Sequence, residues 1–458
     1  MFDAIFEQFV EASPVSVMVR AIMERIFTPE KLDELFEQTA EKQYTRELLF
    51  SIVVELMSLV VSKIHPSVNA AYKALEKTIG VSKPAFYGKL NGLEPSISQA
   101  LVRYSSEELL PVIAQLDPLP VIELPGYAIC IADGNHLGAT EHRIAVLRSE
   151  RAGALPGQSI AVLDPQHMLV TDVFPCEDGH AQERSIFPVV LETVQVDQIW
   201  IADRNFCTRQ FLSDIAAREA YFIIREHLNL PWQALGPLKE VGRSDTGKVF
   251  EQTVKITDDS GTSLTLRRIV IQLYQTTRHG DGEVAIFTNL PTTVADAPTV
   301  ANLYLKRWSV EGMFQVITDV FACELDTLGY PRAALFVFCV AVVAFNILSI
   351  VKAALKTVHG VGKIEASLSD FYVVEEVKGT FRGMMIALPA PYWAEFRQMP
   401  VEQFALTLKQ WATAVDLKRF ASSPRGPKKS TIKGPYDSKH PHVSTDRLLK
   451  QKENKRSP

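Results

Sequence analysis

The chain is 458 residues long, 47% hydrophobic and carries a formal net charge of −5, so it can bury more than one core, and length alone predicts about three domains. Five scattered cysteines, odd in number and without a C-x-x-C pair, argue against a disulfide framework and a zinc site and fit a reducing cytoplasm. The start, MFDAIFEQFVEASPVSVMVR, lacks a positive region ahead of an apolar run, so no secretory signal is expected; the mild negative charge argues against a protein dedicated wholly to nucleic acid.

Residues 1–118 read as a helical N-terminal domain. TRELLFSIVVELMSLVVSKI has helical periodicity, and SVNAAYKALEKTIG closes on Gly80. In VSKPAFYGKLNGL, Ser82 is placed to cap a short helix carrying Lys83, Tyr87 and Lys89. Such a helix suits the second element of a helix-turn-helix that enters a DNA groove, and an ordinary two-helix corner fits the same pattern. Residues 119–228 switch to strands. VIELPGYAICIADGNHL ends in Asp133, SIAVLDP and HMLVTDVFP form a hairpin about Asp164-Pro165-Gln166, and AQERSIFPVVLETV reads as a helix. QIWIADRNF is an apolar strand ending in Asp203, followed by the helix CTRQFLSDIAAREA and the strand AYFIIREH. Three antiparallel-type strands and then alternating helix and strand is the order of a ribonuclease H-like mixed-sheet α/β core.

Residues 229–296 interrupt that core with β-branched runs divided by Asp-Ser-Gly and His-Gly-Asp-Gly turns, a β-rich insertion. The core resumes over 297–356 with a helix. At roughly 100° per residue, Tyr304, Arg307, Trp308, Glu311, Gln315 and Thr318 share one face within about 100°. Leu303, Val310, Met313, Phe314, Ile317 and Phe321 take the other, and Gly312 costs about 1 kcal/mol against Ala. Ala333 to Val351 runs 19 residues without a formal charge, long enough to span a bilayer. Asn346 and Ser349 interrupt it and no comparable second run exists, so a buried helix and no membrane are expected. Residues 357–420 form a helical C-terminal region. The stretch 421–458 holds seven Lys and three Arg against Asp437, Asp446 and Glu453, which leaves about −12 on the rest; it reads as a disordered basic tail that touches phosphates or aids solubility.

The acids carry the chemistry. Asp133 and Asp203 end apolar strands and Glu311 lies on an amphipathic helix, so all three are expected at one sheet edge. Hard carboxylate oxygens suit two divalent cations roughly 3.5–4 Å apart, which counter the two obstacles to phosphodiester attack, a repelled nucleophile and a poor leaving alkoxide. Arg307 suits bidentate phosphate binding, or an ion pair with Glu311 at i+4. His136 and His142 lie near Asp133 and are expected to be structural. Asp319, Glu324 and Asp326 crowd the end of the helix.

These residues resemble the DDE transposases of the insertion-sequence-four family. Its signature is Tyr, two residues, Arg, three residues, Glu, six residues, Lys; Tyr304, Arg307 and Glu311 match, and Thr318 stands at the Lys position. DGNHL resembles the family's Asp-Gly-Thr, and DRNF its Asp-Arg-Gly-Phe/Tyr with Asn205 in place of Gly, a residue that tolerates a left-handed turn. The likeness spans about residues 125 to 390, including the insertion and FRGMMIALP. It implies that Asp133, Asp203 and Glu311 ligate two Mg²⁺ ions, with Mn²⁺ as a substitute, while Tyr304 and Arg307 grip phosphates. Trp308 and Gln315, on the same face, are expected at the DNA, and Trp232 is expected to stack a flipped base. The implied activity is cleavage and strand transfer of double-stranded DNA at element ends by a cytoplasmic homodimer. The alternatives are a nuclease without strand transfer and a DNA-binding relic, the latter motivated by Thr318.

Overall fold

A computed structural model describes residues 2–45, 47–116, 124–138, 144–148, 154–258, 261–277, 280–422 and 443–454. Its strands are β1 (Ala128–His136), β2 (Ala154–Leu155), β3 (Gln158–Asp164), β4 (Leu169–Cys176), β5 (Gln198–Ala202) and β6 (Tyr221–Arg225), then β7 (Gln233–Ala234), β8 (Lys239–Arg243), β9 (Gly247–Thr257), β10 (Ser263–Leu273), β11 (Glu283–Thr288) and β12 (Val443–Ser444). Ten of them make one sheet in the order β4-β3-β1-β5-β6-β11-β10-β9-β7, with β8 also paired to β9. β4, β3 and β1 pair antiparallel; β1, β5 and β6 pair parallel. This is the mixed α/β, ribonuclease H-like order read from the sequence. The β-rich insertion continues the same sheet through the antiparallel pairing of β11 with β6.

Alternation along the strands divides the apolar residues between two faces. Ile131, Ile199, Ile201 and Ile223 join a large core shared with helices from both ends of the chain, including Pro14–Ile26, Phe50–Val61 and Val401–Thr413. Ala132, Trp200, Ala202, Phe222 and Ile224 face a second core, covered by the 3-10 turn Glu183–Ile186 and the helices Phe187–Leu191 and Arg209–Ala217. The AQERSIFPVVLETV segment is thus shorter in helix than expected, because Pro188 permits only a start there.

The apolar run lies in the helix Pro331–His359, which is long and apolar enough to cross a membrane, yet 94% of its most apolar window is buried inside the protein. Asn346 explains the orientation. Its Oδ1 accepts from the Val170 amide at 2.8 Å, and its Nδ2 donates to the Val170 carbonyl at 3.0 Å and the Ser105 hydroxyl at 3.3 Å. One fully buried amide therefore satisfies both backbone groups of a residue on the edge strand β4, fastening helix to sheet.

The tail differs from expectation in part. β12 pairs parallel with β2, and the helix Thr445–Asn454 follows, tied to the core by Arg447 Nε donating to Asp178 at 2.7 Å. The wholly disordered tail expected over 421–458 is corrected to that extent: an Asp on the core supplies a partner the local composition does not reveal. Its remaining stretch, 423–442, lies outside the described residues.

Candidate active site at the sheet edge

Register brings the first two acids together. Ala132 is level with Ala202 across the parallel pair β1 and β5, so Asp133 and Asp203 are the next residues on strands about 4.8 Å apart. Both share the parity of Ile131 and Ile201 and so stand on the large-core side of the sheet. β1 continues to His136 beside β3, whereas β5 ends at Ala202 and the backbone leaves the sheet at Asp203. There the Asp203 carboxylate caps a 3-10 turn by accepting from the Asn205 amide at 2.8 Å. That turn is right-handed, so the expected left-handed conformation at Asn205 is not used.

The third acid arrives on a helix from the same side. The single helix expected from Ala297 is two, Ala297–Leu305 and Trp308–Asp319, joined through Lys306 and Arg307. Val310, Met313 and Ile317 are buried against the large core, which turns Glu311 outward beside β1. Helical spacing survives the joint: Arg307 Nη2 donates to Glu311 Oε1 at 2.6 Å and Nη1 to Asp133 Oδ2 at 3.2 Å. Arg307 therefore bridges a strand acid and a helix acid, while its Nε is buried without a hydrogen-bond partner among the described residues.

A fourth acid, missed in the sequence, comes from the opposite face. Gly134 points to the second core, and a Cβ built on it would overlap the carboxylate of Glu183. Gly134 thus serves here to admit a neighbour. Glu183 interacts with Asp133 and Asp203 and takes a side-chain hydrogen bond from Asn205. No pattern in AQERSIF distinguishes Glu183 from a solvated helix-start acid; only the missing side chain at position 134 makes room for it.

The electrostatics reflect this crowding. Burial is the main cause of an Asp133 carboxyl pushed up to about 6; Arg307 and the Gly134 amide draw it down, and Asp203 and Glu311 push it up again. Burial, then Asp203 and Asp133, push Glu183 up to about 7. Tyr304 is 6% exposed, and burial drives its hydroxyl up to about 12.

Among the described residues, no three Asp, Glu, His or Cys side chains stand in shared-ion geometry. The donor chemistry still fits a hard divalent cation: the two strand acids stand side by side, Glu311 and Glu183 approach from opposite faces, the latter in the space that a Cβ on Gly134 would fill, and among the described residues Arg307 is the guanidinium that ties two of the four to itself.

Beside the acids, a cleft of about 540 Å³ opens between the Arg307 joint and the insertion, lined by Arg225, Thr246, Tyr274, Tyr304, Arg307 and Trp308. Trp308 and Tyr274 are both 58% exposed. Gln315 is exposed and donates to Asp319 at 3.2 Å, and Thr318 returns its hydroxyl to the Phe314 carbonyl. Trp232 lies in the insertion, half-buried: its Nε1 donates to Glu226 at 2.8 Å and the Arg268 guanidinium sits 4.8 Å from its ring centre. His136 is exposed at the end of β1, and His142 is outside the described residues.

In the N-terminal region, Ser82 caps the helix Lys83–Gly92 by accepting from the Ala85 amide. Lys83 is exposed and reaches Asn69 at 3.3 Å; Tyr87 is half-buried against Phe86. Lys89 turns inward, with its ammonium 3.8 Å from the centre of the Phe36 ring and donating to the Tyr44 carbonyl.

None of the curated proteins matches the chain. Residues 125–346 match the family model for the transposase DDE domain. That segment holds every acid described above, and the match supports a DDE transposase, an enzyme that processes DNA.

Proposed function

We propose that the chain is a transposase of the insertion-sequence-four type that cuts an element's ends and joins them to target DNA in a divalent-metal-dependent reaction. The observation that carries this reading is the neighbouring register of Asp133 and Asp203, with Glu311 tethered to Asp133 through Arg307. Asp133, Asp203 and Glu311 would hold Mg²⁺ or Mn²⁺, which when bound activates the attacking oxygen and stabilises the leaving one. The side chains supply the rest. Arg307, freed from its two acids, offers a planar fork to a phosphate, and Tyr304 keeps its proton at neutral pH, so its hydroxyl is a donor. Trp308 and Tyr274 offer exposed rings at the cleft, and Trp232 remains the candidate to stack a flipped base. Gln315 and the N-terminal Lys83 extend the expected DNA contacts. Thr318 brings no charge to the signature Lys position, which removes one phosphate contact and leaves the acids intact. Cutting paired ends calls for a homodimer.

The test is strand transfer with Mg²⁺, using a duplex made from the DNA that flanks this reading frame and ending in a precut 3′-hydroxyl. A joined product is expected, and Asp133→Ala should abolish it while end binding persists. Hydrolysis without joining would make the chain a nuclease; binding with neither reaction would make it a relic.

A further inference from the structure

Glu183 has no part in the three-acid scheme, yet three features fix it at the same sheet edge. Gly134 follows Asp133 directly and leaves the space that the Glu183 carboxylate fills. Asn205, two residues beyond Asp203, bonds the Glu183 side chain. The next residue, Arg184, donates from Nε to the Asn205 carbonyl at 3.2 Å, so the Glu183 turn and the Asp203 turn are strapped together. Both turns are seated by apolar neighbours: Ile186 and Phe187 from one and Phe206 from the other are buried in the second core, with the Phe187 and Phe206 rings 4.8 Å apart.

We infer that Glu183 is a fourth carboxylate ligand of the divalent cation held at Asp133 and Asp203, reaching it from the sheet face opposite Glu311. This rests on the metal-binding reading proposed above and extends it. The two faces then differ in kind. Glu311 is paired with Arg307 and must exchange a guanidinium for a cation. Glu183 has no hydrogen bond to a charged side chain among the described residues, and the cation would meet it without breaking an ion pair. Asp203 and Glu183, neither of them hydrogen-bonded to Arg307 among the described residues, are therefore the acids a cation can meet first, and Asp133 and Glu311 join once DNA draws Arg307 away.

The experiment is Mn²⁺ titration of the full chain without DNA, read by electron paramagnetic resonance of the free ion, for wild type, Glu183→Gln, Glu311→Gln and Asp133→Asn. Glu183→Gln keeps shape and hydrogen bonding, and a matched far-UV spectrum verifies its fold. Loss of one ligand should weaken Mn²⁺ binding by about tenfold or more, with a smaller loss for Glu311→Gln. Gly134→Ala, which denies Glu183 its space, should reproduce the loss and add little on top of Glu183→Gln. Wild-type affinity in Glu183→Gln, alongside lost affinity in Asp133→Asn, overturns the role of Glu183 and spares the three-acid site. Unchanged affinity in Asp133→Asn as well overturns the metal reading itself.

Discussion

Two clusters of partly buried charge among the described residues differ in stoichiometry. In the helical layer Glu24, 4% exposed, lies between Arg20 and Arg397, the latter donating from Nε at 2.6 Å, with Glu55 near enough to feel all three. Acids and bases there are equal in number. At the sheet edge four acids, Asp133, Asp203, Glu183 and Glu311, meet two bases among the described residues, Arg307 on Asp133 and Glu311 and Arg184 near Glu183. A buried ion pair is costly to assemble but more costly to break, so a balanced cluster belongs to structure. An excess of acid at a strand end is instead unstable until a cation arrives; the carboxyls of Asp133 and Glu183 are raised first by burial and further by their acidic neighbours.

The largest contrast should come from neutralising one acid at each place. Asp133→Asn removes a like charge from the crowded edge and is expected to leave the ion-free chain as stable as wild type, or more so, in thermal melts with a chelator present. The same change should lower DNA cleavage by about three orders of magnitude, since a bound metal is worth several kcal/mol in the transition state and each ~1.4 kcal/mol is tenfold. A melt that drops sharply would make Asp133 a structural residue and dissolve the contrast. Glu24→Gln is the converse. It leaves Arg20, and the partly exposed Arg397, without their shared partner but with Glu55 still nearby, a loss of about 3 kcal/mol measurable by urea unfolding. An unfolding midpoint within error of wild type would show that the cluster is solvated.

The same contrast separates what the sequence disclosed from what it hid. Asp133 and Asp203 were legible because each ends an apolar run that can only be a buried strand, and their shared parity follows from strand geometry. The pairing of Arg307 with Glu311 was legible from helical spacing, which held across a joint at Lys306 and Arg307 that no Gly or Pro announces. Asn346 marked the apolar run as a protein core helix, although its partner, the backbone of Val170, is 176 positions away and had no local signal. Glu183 was hidden because its position depends on an absence, the hydrogen in place of a side chain at Gly134. The partners of Trp232 were hidden for a related reason: they come from Glu226 and Arg268, which only the fold brings to a lone aromatic in a polar insertion.

Between the two extremes stands Glu376 on the helix Asp370–Ala387, an acid with one base. Its side chain is 8% exposed and its partner Arg419, at 3.1 Å, is 51% exposed. Burial raises the Glu376 carboxyl; Arg419 and the Ser16 amide pull it down without fully compensating, and Oε1 is left without a hydrogen bond among the described residues. A carboxyl raised in the folded state binds its proton more tightly there than in the unfolded chain, so folding is favoured most while the group is protonated. That contribution is complete below the unfolded value of about 4.3 and is lost as pH rises through the higher folded value. Glu376→Gln carries no charge to bury. The variant should match wild type near pH 4, then become modestly the more stable as pH rises to 8, read as a widening gap between paired thermal melts. A gap of the opposite sign at pH 8 would mean that a single half-exposed guanidinium balances a buried acid in this fold, and the imbalance at the sheet edge would then need more than charge count to explain it.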